Sequence, residues 1–129
     1  MAELKRVEVV AAIIKRDNEI FATQRGYGDF KGGWEFPGGK IEHGESLSHA
    51  VIRELKEELD LDVTPADEIF QVKTNKIVLH FVRAAINGNS VPHPQENQQY
   101  KWIKLTPTPP DGILDNDIKF WKFLTSSLK

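Results

Sequence analysis

The chain has 129 residues, of which 40% are hydrophobic and 28% charged, with a formal net charge of −2. This length fits one domain over residues 1–129, and the charge argues against direct binding of a nucleic-acid backbone. No apolar run approaches the ~20 residues of a membrane span, so we expect no membrane partner. The absence of cysteine excludes thiolate metal sites and fits the cytoplasm.

The first quarter of the chain predicts two strands and a loop. Residues 5–15 are β-branched and nearly all apolar after Glu8, which is typical of a strand buried on both faces. Asp17 and Asn18 predict a turn, and residues 20–23 a returning strand. Residues 26–33 contain four glycines and predict either an ordinary surface loop or a mobile mouth over a ligand.

A helix is predicted from Glu45 to Leu61. Its apolar residues recur every four positions and form one stripe, which consists of Leu47, Val51, Leu55 and Leu59. Ser46 or Ser48 is expected to cap its start. Away from the stripe, Glu54 is followed at i+3 and i+4 by Glu57 and Glu58, so three carboxylates share one patch of the helix.

These three carboxylates have two interpretations. They form a solvated acidic face on which Arg53 pairs with Glu57 at i+4, or they bind a divalent cation. Like charges at this spacing repel one another, and hard oxygen ligands with room for water and phosphate are what Mg²⁺ or Mn²⁺ prefers.

The second half of the chain predicts more strands and a last helix. We expect a connector from Asp62 to Asp67 that contains Pro65, followed by strands over 69–73 and 76–84. A loop over 85–97 and a strand over 99–105 come next. The last predicted element is a helix over 115–128 that is capped by Asp115 or Asn116. This order predicts an α+β fold in which a mixed sheet has a helix on each side.

The stretch from Glu35 to Leu61 resembles the Nudix box, a loop–helix–loop that binds metal and cleaves nucleoside diphosphate linkages. The residues at the family's fixed positions are Gly39, Glu45, Arg53, Glu54, Leu55, Glu57, Glu58 and Leu61. One position differs, because Asp60 stands where the family has glycine. That residue ends the helix in left-handed geometry, which aspartate tolerates better than most residues. The resemblance implies the Nudix α/β/α sandwich.

The resemblance to MutT-like members also implies roles for individual residues. It implies a substrate site made of Arg25, Glu35, Phe36, Pro37, Gly38, Lys40 and Asp117, and metal ligands made of the Gly38 carbonyl, Glu54, Glu57, Glu58 and Glu96. Alternatives remain for several of them. Arg25 and Lys40 also fit solvated surface residues, Glu96 a loop acid, and Asp117 a helix cap with Asn116 as its rival at the base.

The implied reaction is the hydrolysis of a nucleoside triphosphate to a nucleoside monophosphate and pyrophosphate, with Mg²⁺ or Mn²⁺ as cofactor. Glu54 is the expected general base, with Glu96 or Glu57 as alternatives, and Arg53 orients the carboxylates. The implied substrate is 8-oxo-dGTP or (d)CTP, used by a monomer or homodimer. Hydrolysis of another nucleoside diphosphate-linked compound, or nucleotide sensing without catalysis, are the alternatives.

Overall fold

The computed structural model describes residues 6–26, 28, 30–94 and 98–126, and in this part of the chain two sheets and two helices form. The first sheet consists of β1 (Val7–Ile13), β5 (Gly38–Lys40), β6 (Val63–Lys73) and β7 (Ile77–Ile86). The second sheet consists of β2 (Lys15–Arg16), β3 (Glu19–Gln24), β4 (Trp34–Glu35) and β8 (Tyr100–Lys104). The two helices are α1 (Leu47–Leu59) and α2 (Asp115–Leu124). Neither helix is long and apolar enough to cross a membrane.

The first sheet is mixed, with the strand order β5-β1-β7-β6. Its central strands β1 and β7 are parallel, while β5 and β6 are antiparallel to their neighbours. In the second sheet β3 pairs with β2, β4 and β8. The predicted mixed sheet with two helices is therefore confirmed, and the second sheet is an addition that the sequence patterns did not indicate.

Strand β1 is buried on both faces, as its nearly continuous apolar run predicts. Val10, Ala12 and Ile14 pack with the apolar stripe of α1. Ala11 and Ile13 point the other way, into the core that contains Phe120 and Trp121 of α2. This alternation fixes the sheet between two cores, so that each helix covers its own face.

Helix α1 is two residues shorter at each end than the predicted range from Glu45 to Leu61, and its caps are among the residues that the sequence indicates. Ser46 is the N-cap, and its hydroxyl accepts a hydrogen bond of 3.1 Å from the His49 N–H. Asp60 ends the helix in left-handed geometry, with φ of 48° and ψ of 39°. The aspartate thus takes the conformation that glycine would take more easily.

Several expected boundaries were wrong. Residues 62–67 are not a connector, because β6 begins at Val63 and runs through Pro65. Proline is tolerated there because β6 is the edge strand of its sheet, and a register shift follows directly after it. Helix α2 ends at Leu124 and not at residue 128, and it is capped neither by Asp115 nor by Asn116. Its N-cap is Leu114, whose side chain makes no capping bond.

Candidate active site

Arg53 is the centre of a charged network at the start of α1. Its guanidinium forms a two-pronged ion pair with Glu45, at 2.7 Å from Nε and 2.8 Å from Nη2. Nη1 donates to Glu54 at 3.0 Å and to Glu57 at 3.3 Å, and Nη2 also donates to the Lys40 carbonyl. Arg53 therefore joins the loop that follows β5 to two of the three α1 acids that are predicted metal ligands.

The charges of this network reinforce one another. The Arg53 hydrogen bonds lower the pKa of Glu45 to about 2, and the Glu42 N–H, which donates to Glu45 at 3.0 Å, adds to the effect. In return Glu45 raises the pKa of Arg53 above its usual value. Both groups stay charged across the physiological range, so the bracing of the loop against the helix does not depend on pH in that range.

Glu58 has a different environment from its two neighbours. It is largely buried, which raises its pKa to about 7, and the negative charges of Glu35 and Glu54 add to the rise. The side-chain amide of Gln98 donates to Glu58 Oε1 at 2.8 Å and opposes the shift. Glu58 is therefore a carboxyl whose ionisation costs free energy unless a cation or further donors lie beside it.

Two glycines bring β5 close to its neighbours. A Cβ on Gly38 would lie 1.9 Å from the Val10 carbonyl oxygen, in the adjacent strand. A Cβ on Gly39 would lie 2.4 Å from the carboxylate carbon of Glu54. Only glycine fits at either position without a shift, and the Glu54 carboxylate occupies the space that a side chain would take.

The same two glycines line a cleft of about 580 Å³, within the size range of small-molecule sites. Its apolar floor comes from β1 and β7 and consists of Val9, Val10, Ala11, Ile77 and Leu79. Its walls come from the segments around β4 and the start of α2 and include Arg25, Phe30, Glu35, Phe36, Ile113, Leu114, Asp115, Asn116 and Asp117. The cleft thus extends from α2 to Gly38 and to Gly39, which lies against Glu54.

One ion pair and one hydrogen bond fix side chains at the α2 end of the cleft. Arg25 binds Glu35 through both ends of its guanidinium, with Nη2 at 2.7 Å and Nε at 3.2 Å from the carboxylate oxygens. Asp117 is buried, and its Oδ2 accepts a hydrogen bond of 3.1 Å from the Phe36 N–H. Burial raises the pKa of Asp117 to about 7, which the Phe36 bond partly offsets. The α2 end of the cleft therefore contains the carboxyl of Asp117, whose ionised and protonated forms are present in similar amounts near neutral pH.

The structure brings most of the predicted site residues to this cleft or its edge. The residues that line it are Arg25, Glu35, Phe36, Gly38 and Asp117, and Arg53, Glu54, Glu57 and Glu58 are grouped behind Gly39. Pro37 is buried beside the cleft, where its carbonyl accepts the Ala12 N–H at 2.7 Å. Lys40 is exposed at the end of β5 and does not line the cleft. Glu96 lies outside the described residues.

No group of three or more histidine, aspartate or glutamate side chains within 6–26, 28, 30–94 and 98–126 is arranged to hold a metal ion. The acids are instead directed by Arg53 and Gln98. Their chemistry still fits a divalent cation, because Glu54, Glu57 and Glu58 supply hard oxygen donors on one helix. The side-chain-free space at Gly39, which the Glu54 carboxylate fills, supports the same assignment.

Several residues of the site were not expected from the sequence. The floor of the cleft depends on the pairing of β1 with β7, which are far apart in the chain. Phe30, in the glycine-rich loop, is 72% exposed at the rim of the cleft, and it has a positive φ of 64°. Gln98 has no sequence signal beyond its place in a polar loop. The glycine-rich composition did indicate the loop, but not which side chain it would present.

Comparisons with known proteins find a family model and relatives that match this chain. The family described as the NUDIX domain matches residues 4–121. The chain is 48% identical over 67 residues to a CTP pyrophosphohydrolase of Escherichia coli, a match that covers 51% of this chain and 50% of that protein. It is 35% identical over 105 residues to an 8-oxo-dGTP diphosphatase of Haemophilus influenzae, which covers 78% of this chain and 77% of the relative.

A solved structure is similar over a longer stretch. The solution structure of the E. coli ORF135 protein superposes with a TM-score of 0.76 and 29% identity, covering 98% of this chain and 94% of that protein. The match with the CTP pyrophosphohydrolase spans about half the length of that enzyme.

Proposed function

Because the chain belongs to the Nudix hydrolase family, we propose that it hydrolyses a nucleoside triphosphate to a nucleoside monophosphate and pyrophosphate. The observation that carries this proposal is the position of Gly39. It lies in the wall of the cleft and, on its other side, directly against the carboxylate of Glu54. A nucleotide whose base lies at the α2 end would therefore extend its phosphates toward the acids of α1.

The residues that would hold a Mg²⁺ or Mn²⁺ ion are Glu54, Glu57 and Glu58, together with the Gly38 carbonyl and Glu96. When bound, such an ion neutralises phosphate charge and lowers the pKa of a water molecule. The protein's own contribution is to keep the carboxylates in place. Arg53 does so for Glu54 and Glu57, because its guanidinium is itself fixed by the ion pair with Glu45.

One carboxylate must accept the proton of the attacking water, and Glu54 is our candidate. Its carboxylate is the one that touches the cleft wall at Gly39. The side chain of Glu57 is 61% exposed, so it is the weaker candidate within the described residues. Glu96 is the other alternative.

At the other end of the cleft, we propose that Asp117 reads the edge of the base. The Phe36 N–H occupies Oδ2, so Oδ1 is the oxygen to which a base would bind. The ionised carboxyl accepts from an amine such as that of cytosine, and the protonated one can also donate, for example to a carbonyl of an oxidised guanine. Since its pKa is about 7, both forms are populated.

We therefore propose (d)CTP and 8-oxo-dGTP as the two candidate substrates, which are also the compounds in the names of the relatives described above. Hydrolysis of 8-oxo-dGTP would remove a damaged nucleotide from the precursors of DNA. We propose the cytoplasm as the location, because a chain without cysteine fits a reducing compartment. The proposal holds for a monomer or a homodimer.

A hydrolysis assay with Mg²⁺ on a panel of nucleotides tests this function. The panel contains 8-oxo-dGTP, dGTP, CTP, dCTP and ADP-ribose, and products are separated by chromatography. We expect monophosphate and pyrophosphate from one of the two candidates, and a loss of roughly 100-fold or more in kcat for Glu54→Gln. The matched control is Glu19→Gln, the same change in β3 outside the cleft, which should keep wild-type activity.

The panel also distinguishes the alternatives. Turnover of ADP-ribose alone would show that the protein hydrolyses another nucleoside diphosphate linkage and not a nucleoside triphosphate. Tight nucleotide binding with no turnover of any compound would favour a sensor. Equal activity of Glu54→Gln and wild type would remove Glu54 from the mechanism.

A further inference from the structure

Gln98 is a half-buried residue whose side-chain amide has one buried end without a hydrogen-bond partner among the described residues. It precedes β8 in the chain, and its Nε2 donates to Glu58 Oε1 at 2.8 Å. Its Oε1 is buried and has no hydrogen-bond partner among the described residues. Within the part of the chain that the structure describes, it is the one buried side-chain polar atom in this condition. Buried polar atoms are nearly always hydrogen-bonded, so the exception requires an explanation.

Rotating the amide does not remove the exception. In the opposite orientation Oε1 would face the Glu58 carboxylate, and the NH₂ group would take the unpaired position. In either orientation, one end of the amide therefore contacts Glu58 and the other end has no hydrogen-bond partner among the described residues. A methionine or leucine of similar size would fill the same space without leaving a polar atom unpaired, so packing alone does not account for glutamine.

The position of the amide indicates what the missing partner is. Glu58 is one of the three acids on α1, and the charges of Glu35 and Glu54 act on it. A group that pairs with Gln98 Oε1 must be a hydrogen-bond donor, and every nearby carboxylate is an acceptor. Water that enters with a cation would supply such a donor, because the hydrogens of a hydrated cation's waters point away from the ion.

We propose that Gln98 is a positioning residue for the divalent ion. Its NH₂ group holds Glu58 toward the ion, and its Oε1 accepts a hydrogen bond from a water molecule that is drawn into the site with the ion. This inference rests on the metal-dependent function proposed above. It adds a residue that touches neither the ion nor the nucleotide, and it predicts that metal affinity depends on it.

Mn²⁺ binding without nucleotide, followed by electron paramagnetic resonance of the free ion, tests this inference in the full chain. Gln98→Met keeps the length of the side chain and removes both polar ends. We expect it to weaken Mn²⁺ binding by roughly 10- to 100-fold, as the loss of a partner of a metal ligand typically does. Gln99→Met, the same change in the exposed neighbour, is the control and should bind Mn²⁺ like wild type.

A double-mutant cycle with Glu58→Gln distinguishes positioning from general damage. If Gln98 acts mainly through Glu58, its replacement should weaken Mn²⁺ binding much less in the Glu58→Gln background than in wild type. The KM for nucleotide at saturating metal should change far less than the Mn²⁺ affinity. Unfolding in EDTA checks that each variant folds. If Gln98→Met does not fold, Gln98→Asn, which withdraws the amide by one methylene, takes its place with the same expectation.

These experiments distinguish a failure of the positioning role of Gln98 from a failure of the proposed function. Wild-type Mn²⁺ affinity in a folded Gln98 variant, or fully additive effects in the cycle, would overturn the positioning role while leaving the hydrolase function intact. Failure of the wild-type protein to bind Mn²⁺ or to hydrolyse any nucleotide would instead overturn the proposed function, and the positioning role with it.

Discussion

The buried carboxyl of Asp117 makes stability depend on pH in a direction opposite to that of most acids. Burial raises its pKa from 3.8 to about 7, so the folded protein retains a proton that the unfolded chain loses. Between these two values the folded state binds more protons, and its stability falls as the pH rises. Above pH 7 both states are ionised, and the fall ends.

The magnitude follows from the same shift. Over the full titration it corresponds to about 4 kcal/mol, since one pKa unit is ~1.36 kcal/mol. Roughly 2 to 3 kcal/mol of this falls between about pH 5 and about pH 8, because the unfolded carboxyl is already ionised at the lower limit. Asp117→Asn keeps an oxygen for the Phe36 N–H and has no titration, so its stability should lack this component.

Urea unfolding of wild type and Asp117→Asn at both pH values, with EDTA present, measures the effect. The difference between the two proteins cancels every other titrating group to first order. We expect wild type to lose roughly 2 to 3 kcal/mol relative to the variant as the pH rises. Asp115→Asn, in the exposed position of the same turn, controls for the loss of one negative charge. Parallel curves, or a relative gain by wild type, would refute the burial argument.

Three further predictions concern α1 and its surroundings. Gly39→Ala should lower kcat by about 100-fold without unfolding the protein, because the new Cβ displaces the Glu54 carboxylate; unchanged kcat would contradict the contact. Arg53→Lys should lower kcat roughly 10-fold or more, because lysine cannot form the two-pronged pair with Glu45; full activity would show that the fork is dispensable. Asp60→Gly should raise the Tm by a few degrees through relief of its left-handed geometry, whereas Asp60→Ala should lower it; the reverse order in a thermal scan would refute this.

Local signals predicted helix α1 to within two residues at each end because its structure is determined locally. The four-residue apolar repeat, the Ser46 cap and the Asp60 terminus all act within one turn of the chain. The same holds for β1, whose apolar run is buried on both faces in the structure. Elements of this kind can be read from sequence because the residues that stabilise them are adjacent.

The start of α2 could not be predicted in this way. The Leu114 N–H donates to the Trp34 carbonyl, and the Trp34 N–H donates to the Gly112 carbonyl. This pairing with β4 keeps the chain extended up to Leu114, which becomes the N-cap although Asp115 and Asn116 are better capping residues. A tertiary contact thus overrides a local preference.

The candidate site also has a part that is determined locally and a part that depends on long-range contacts. Glu54, Glu57 and Glu58 were predicted together because they lie on one helix. The cleft that connects them to Asp117 depends on strand pairings between distant parts of the chain, and Gln98 reaches Glu58 across 40 positions of sequence. Sequence spacing contains no information about such contacts.

The central claim is that the acids of α1 hold a divalent ion at one end of a nucleotide cleft. Its most direct test is a crystal grown with Mn²⁺ and a non-hydrolysable triphosphate analogue, with an anomalous difference map collected for manganese. We expect a peak bounded by Glu54, Glu57 and Glu58, with the base beside Asp117. A fully occupied nucleotide with no manganese at these acids, or a base bound away from the cleft, would contradict the account.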